Sequence, residues 1–129
     1  MRFINTKTHG IFDYLISVIL IALPFVFDLD KKEPETWLPI CMGLGQIPII
    51  FFTKYEVGVV GALNMSQHLI LDLLAGIFLA VSPWVFGFHE KIFLPHFLVG
   101  LAVVFMSLFT QKVPAKINSE AFDSSKAQM

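Results

Sequence analysis

Four stretches of the chain carry no formal charge: residues 14–27, 36–53, 73–88 and 92–111, which are 14, 18, 16 and 20 residues long. Charged residues gather between them, at 28–35, 54–56 and 90–91, and again from 112 onward. A soluble bundle would instead carry charge along the outer face of each helix. The pattern predicts four apolar helices joined by polar links. A helix that crosses a bilayer needs about 20 residues at roughly 1.5 Å each. The second and fourth stretches nearly reach that length unaided. The first and third reach it only by extending backwards, through Asp13 and His9 and through Asp72 and His68. That extension puts both His/Asp pairs at or just inside one membrane boundary.

The two short stretches also carry the same text. His9-Gly10-Ile11-Phe12-Asp13 leads to Leu23-Pro24-Phe25-Val26-Phe27, and His68-Leu69-Ile70-Leu71-Asp72 leads to Ser82-Pro83-Trp84-Val85-Phe86, 59 residues further on. In both, His and Asp stand four apart and Pro follows Asp by eleven; Asn5 and Asn64 keep the same offset. The second and fourth helices correspond more weakly at an offset of 57, with Gly43-Leu44 matching Gly100-Leu101 and Phe52-Thr53 matching Phe109-Thr110. A unit of two helices enters the membrane from the same side each time, so its copies are related by an axis along the membrane normal. The expected fold is all-α, a polytopic membrane four-helix bundle built from two parallel two-helix repeats. Its transmembrane domain covers 1–111, with one repeat at about 5–53 and the other at about 64–110; residues 112–129 read as a polar, disordered cytoplasmic tail.

Proline removes an amide donor and clashes with the preceding turn, so Pro24 and Pro83 should end or kink the first and third helices at matching depths. Leu38-Pro39 and Leu94-Pro95 read as the openings of the second and fourth, where a missing donor is harmless. Trp84 suits the aromatic belt at the far headgroup level. Gly43 and Gly45 permit close helix approach, and Gln46 in mid-helix points to an interhelical hydrogen bond. Residues 57–66 read as an interfacial connection or an extension of the third helix.

Composition agrees with this picture. The 129 residues are 56% hydrophobic and 15% charged, with 14 Phe and a mean hydropathy of +0.74. That length fits one domain, and a net charge of −1 gives no argument for nucleic acid. Arg2 and Lys7 ahead of an apolar run resemble a signal peptide, but Asp13 interrupts the run and the pattern recurs in the interior; it reads as the first membrane helix. Six Lys/Arg fall on the side of the termini and middle loop and three on the other, which places both termini in the cytoplasm. Cys41, the single cysteine, reads as a small membrane-packing residue.

The polar residues inside the helices are the candidates for chemistry. His and Asp at i, i+4 share one helical face. Two such pairs at one depth supply two imidazoles that could converge on a metal, a haem or a quinone, or pass protons. A structural reading stands beside these: Asp complements a helix start, and His at a headgroup boundary is an ordinary amphipath. His9, Asp13, His68 and Asp72 are therefore the candidate cofactor-binding residues. His96 and His89 fall on the opposite side and read as interfacial. The sequence assigns no catalytic residue and no metal ligand set: it holds no zinc-type Cys/His cluster, phosphate-cradling loop or nucleophile elbow. Ser17, Ser66, Ser82 and Ser107 have no evident base.

The run Leu79-Ala80-Val81-Ser82-Pro83-Trp84-Val85-Phe86-Gly87-Phe88 resembles the signature of the SPW-repeat integral membrane proteins of bacteria, with Pro24, Ser82, Pro83 and Trp84 as its structural motif. The resemblance covers about 8–110, and the first copy departs from it with Leu23-Pro24-Phe25 in place of Ser-Pro-Trp. It implies the paired-helix fold and the bacterial inner membrane, without an assigned activity. The leading expectation is a non-enzymatic membrane scaffold or accessory subunit, in contact with the lipid bilayer and with a membrane-protein partner or further copies of itself. The alternatives are a haem- or quinone-binding protein using the His/Asp pairs, and a proton-linked transporter.

Overall fold

The computed structural model describes residues 1–114. Most of the expected tail, from residue 115 on, lies outside the described residues. The elements are α1 (Thr6–Val26), α2 (Pro34–Phe52), α3 (Met65–Val85) and α4 (Leu94–Phe109), with no strand among the described residues. Three of the four, α1, α2 and α3, are long and apolar enough to cross a membrane; α4 is apolar but has 16 residues. Their outward faces carry large exposed apolar side chains such as Leu15, Val18, Leu44, Leu74, Ile77, Leu98 and Phe105. Such a surface suits lipid and not water. The protein is a helical membrane bundle.

The backward extension that length demanded is real: α1 and α3 are both 21 residues and include both His/Asp pairs. Each starts at an asparagine cap. The Asn5 side chain accepts from the Thr8 amide at 2.7 Å and the Asn64 side chain from Gln67 at 2.9 Å, which satisfies donors a helix start leaves free. Each helix runs two residues past its proline and then stops. The stop is a left-handed residue at the same relative position, Asp28 (φ 49°) after α1 and Gly87 (φ 74°) after α3. After α1, Leu29 N–H reaches the Pro24 carbonyl at 2.9 Å and Asp28 N–H reaches Phe25, the two bonds of a Schellman stop.

The helices pair as hairpins, α1 with α2 and α3 with α4, and each hairpin closes where backbones come nearest. A Cβ on Gly43 would stand 2.7 Å from the Ser17 carbonyl, and one on Gly100 would stand 2.7 Å from the Gly76 carbonyl. Gly45 does not share this role: nothing lies within 4 Å of where its Cβ would be. The expectation for α2's start also needs correction, because Pro34 and not Pro39 occupies its first turn. Pro39 sits inside α2, where its lack of an amide N–H leaves the Glu35 carbonyl four residues back without its helical donor. His96 of α4 bonds that carbonyl through Nε2 at 3.0 Å, so His96 ties the two hairpins at this end. The segment between α2 and α3 is a loop, not an extension of α3, and it buries Tyr55.

At the other end the hairpins are joined crosswise. Ile4, before α1, pairs with Thr110, after α4, and Leu63, before α3, pairs with Thr53, after α2. Ile4 N–H bonds the Phe109 carbonyl at 2.9 Å and Leu63 N–H bonds Phe52 at 2.9 Å. The entry to each hairpin is thus pinned to the exit of the other.

Candidate functional site

Directly above these pairings the two His/Asp pairs meet. All four residues are buried, both histidines fully, and their imidazole rings lie 5.5 Å apart, edge to face. The shortest contacts are crosswise. His9 Nε2 is 2.9 Å from Asp72 Oδ2, and His68 Nε2 is 3.0 Å from Asp13 Oδ2. The contacts along each helix follow at 3.2 Å for His9–Asp13 and 3.1 Å for His68–Asp72. Two nitrogens and two oxygens therefore form a closed box in which each imidazole faces both carboxylates. The expected i, i+4 pairing exists, but the stronger bond of each residue goes to the other hairpin.

The outer ring nitrogens are fixed as well. His9 Nδ1 lies 2.7 Å from Thr110 Oγ1 and His68 Nδ1 lies 2.7 Å from Thr53 Oγ1. Each threonine hydroxyl already donates its one proton to a carbonyl in its own helix, Met106 for Thr110 and Ile49 for Thr53. A hydroxyl has a single donor, so each imidazole must be the donor here and carries hydrogen on Nδ1. Each Nε2 consequently turns either a second N–H or a lone pair toward the carboxylates. Arg2 completes this end of the bundle by donating to the carbonyls of Ser107 and Thr110 at 3.0 and 2.7 Å.

Two further groups surround the box. The Gln46 side-chain amide donates to Asp72 Oδ1 at 2.8 Å, which is the interhelical bond its mid-helix position suggested. The Tyr55 ring packs on His68 with centroids 5.4 Å apart. Burial, and after it the negative charge of Asp13, pushes the Tyr55 hydroxyl above its ordinary value, so it stays neutral. Beside Asp13 lies a cavity of about 210 Å³, lined by Gln46, Gly45, Ile16, Ala75 and Val103 among others. The box itself has no slot for a planar macrocycle, because both Nε2 atoms already sit within 3.2 Å of carboxylate oxygens. Haem ligation by His9 and His68 would require the hairpins to part.

The remaining motif residues lie at the opposite end. Ser82 is buried, and its hydroxyl donates to the Leu79 carbonyl at 2.7 Å. That carbonyl is four residues before Pro83, the one whose amide partner the proline removes. Trp84 is half exposed and packs against Phe93 and Phe97, with ring centroids 5.6 and 5.9 Å away, and stacks on His89. Ser-Pro-Trp is thus a helix end that repairs its own proline and clasps the start of α4. It lies at the other end of α3 from His68 and Asp72.

The family model of the SPW repeat domain matches residues 7–110. The chain belongs to the SPW repeat family. No curated protein and no solved structure matches it. For this SPW repeat protein the matched span takes in the box, both prolines and all four helices. Sequence reasoning had found His9, Asp13, His68 and Asp72 but missed Thr53, Thr110 and Tyr55. The match of Phe52-Thr53 with Phe109-Thr110 was a usable signal, since a hydroxyl that recurs just past an apolar helix has a reason to recur.

Proposed function

We propose that this SPW repeat protein is a non-enzymatic integral membrane scaffold, made of two repeated helical hairpins that the His/Asp box stitches together. The observation that carries this reading is the crosswise bonding: His9 with Asp72 and Thr110, His68 with Asp13 and Thr53. Every one of those side chains is buried, and each makes a bond that crosses between the hairpins. This favours a stitch over a proton-linked transporter, whose carboxylates must be free to load and unload. The exposed apolar faces of all four helices are open to lipid, to a membrane-protein partner or to further copies of the chain. The excess of Lys/Arg beside the termini and middle loop supports both termini in the cytoplasm, and the likeness to the bacterial SPW-repeat membrane proteins supports the bacterial inner membrane.

Removing one member of a buried charge pair leaves the rest uncompensated, at a cost of about 3–5 kcal/mol. His68→Ala should lose that much in equilibrium unfolding in mixed detergent. A variant as stable as the parent protein would sink the scaffold reading.

A further inference from the structure

We infer that the His/Asp box is a binding site for one divalent transition-metal ion of the zinc class, held by His9 Nε2, His68 Nε2, Asp13 Oδ2 and Asp72 Oδ2. The inference deepens the scaffold reading and rests on it. One donor atom from each of these four buried residues lies within 4.8 Å of the others. The four N–O separations are 2.9, 3.0, 3.1 and 3.2 Å. Ligand atoms about 2.0–2.2 Å from a tetrahedral ion stand roughly 3.3–3.6 Å apart, so an ion at the centre needs these four N–O edges to lengthen by only a few tenths of an ångström.

Hydrogen-bond direction supplies the second argument. Thr53 and Thr110 hold a hydrogen on each Nδ1, which is how metal-binding histidines are oriented by a neighbouring acceptor. The neutral imidazole then turns its Nε2 lone pair into the box, where it meets only carboxylate oxygens. Acceptors facing acceptors at 2.9–3.2 Å must have something positive between them. Two protons meet that need, one on each Nε2, and so does one divalent cation. Both fillings leave the box neutral: two imidazolium ions with two carboxylates, or two neutral imidazoles with two carboxylates and one M²⁺. Loading the metal therefore exchanges one M²⁺ for two protons, which leave to solvent. Imidazole and carboxylate together suit zinc or its neighbours and are a poor set for calcium or magnesium. Four protein ligands with no open position make a structural site, a staple between the hairpins.

The test uses the full chain, purified in detergent without chelator. Elemental analysis should find close to one zinc-class ion per chain. After chelation, Co²⁺ added as a probe should give the visible absorption of a four-coordinate ion, saturating at one equivalent. Asp72→Asn should abolish that spectrum. Thr110→Val leaves all four ligands in place but removes the acceptor that orients His9, and should weaken Co²⁺ binding by about 10–100-fold. If Asp72→Asn does not fold, Thr110→Val and the parent protein still decide the matter. No bound metal together with no Co²⁺ spectrum in the folded parent protein overturns the inference, as does a Co²⁺ affinity unchanged in Thr110→Val. That failure is distinct from failure of the scaffold reading: a box without metal, yet needed for stability, leaves the proton-filled stitch standing.

Discussion

The two hairpins share a set of matching contacts, and they differ in how the residues around those contacts complete them. His9 and His68, Asp13 and Asp72, Thr110 and Thr53 make matching bonds, and Asn5 and Asn64 cap matching helix starts. The carboxylates are nevertheless not equivalent. Asp72 takes a third partner from Gln46. The residue 57 positions after Gln46 is Val103, which lines the cavity beside Asp13 and has no donor to offer. One side of the box is closed by a hydrogen bond, and the other opens onto an apolar space. At the far end the contrast is reversed. The second hairpin has Ser82 to satisfy the carbonyl freed by Pro83 and Gly87 to take the left-handed turn; the first has Leu23 and Asp28 in those places. The common residues form the stitch, and the differing residues decide how well each end is finished.

The largest difference to break is at the box. Gln46→Leu should cost about 1.5–3 kcal/mol in detergent unfolding, the range for a hydrogen bond to a charged acceptor. Adding Val103→Gln to that variant should restore part of the loss by supplying Asp13 with the donor that Asp72 gave up. Absence of any recovery would mean that the two carboxylates are not interchangeable. A smaller effect is expected from Ser82→Ala, about 0.5–1.5 kcal/mol, because one neutral hydrogen bond disappears and the Leu79 carbonyl is left without its donor. Amide exchange in the last turn of α3 should rise with it and leave the last turn of α1 untouched. The smallest is a gain. Asp28→Gly removes a side chain from a left-handed position and should raise the melting temperature by the equivalent of about 1 kcal/mol or less, whereas Gly87→Ala should lower it by a similar amount.

Much of the architecture was legible because membrane helices obey a length rule. Charge-free runs of 14 and 16 residues cannot span, so α1 and α3 had to include their His/Asp pairs. The offset of 59 then put both pairs at one level. The prolines were read correctly as marks of the helix ends, although each helix continues for two residues beyond. Pro39 was misread as a helix start, because a proline inside a helix looks no different in sequence from one at its first turn. It is tolerated there because His96, 57 residues later, bonds the carbonyl it frees. Gly45 looked like a contact glycine beside Gly43, yet two positions along a helix turn a residue about 200° away, and it faces the cavity.

Sequence alone determined that four apolar helices form, where two of them begin, and which polar residues lie within them, since hydropathy, helix rise and capping are local or additive along the chain. Only the tertiary structure decided which partners those polar residues take. The i, i+4 rule pairs His9 with Asp13, but the hairpins pack so that the shortest bond of each histidine crosses to the other helix, and Thr53 and Thr110 arrive from chain segments 15 and 101 residues away. A hydrogen bond between distant segments depends on how hairpins meet in space, and no periodicity along the chain encodes that meeting. The same holds for the closed box of two nitrogens and two oxygens: its members were visible one by one, and their convergence was not.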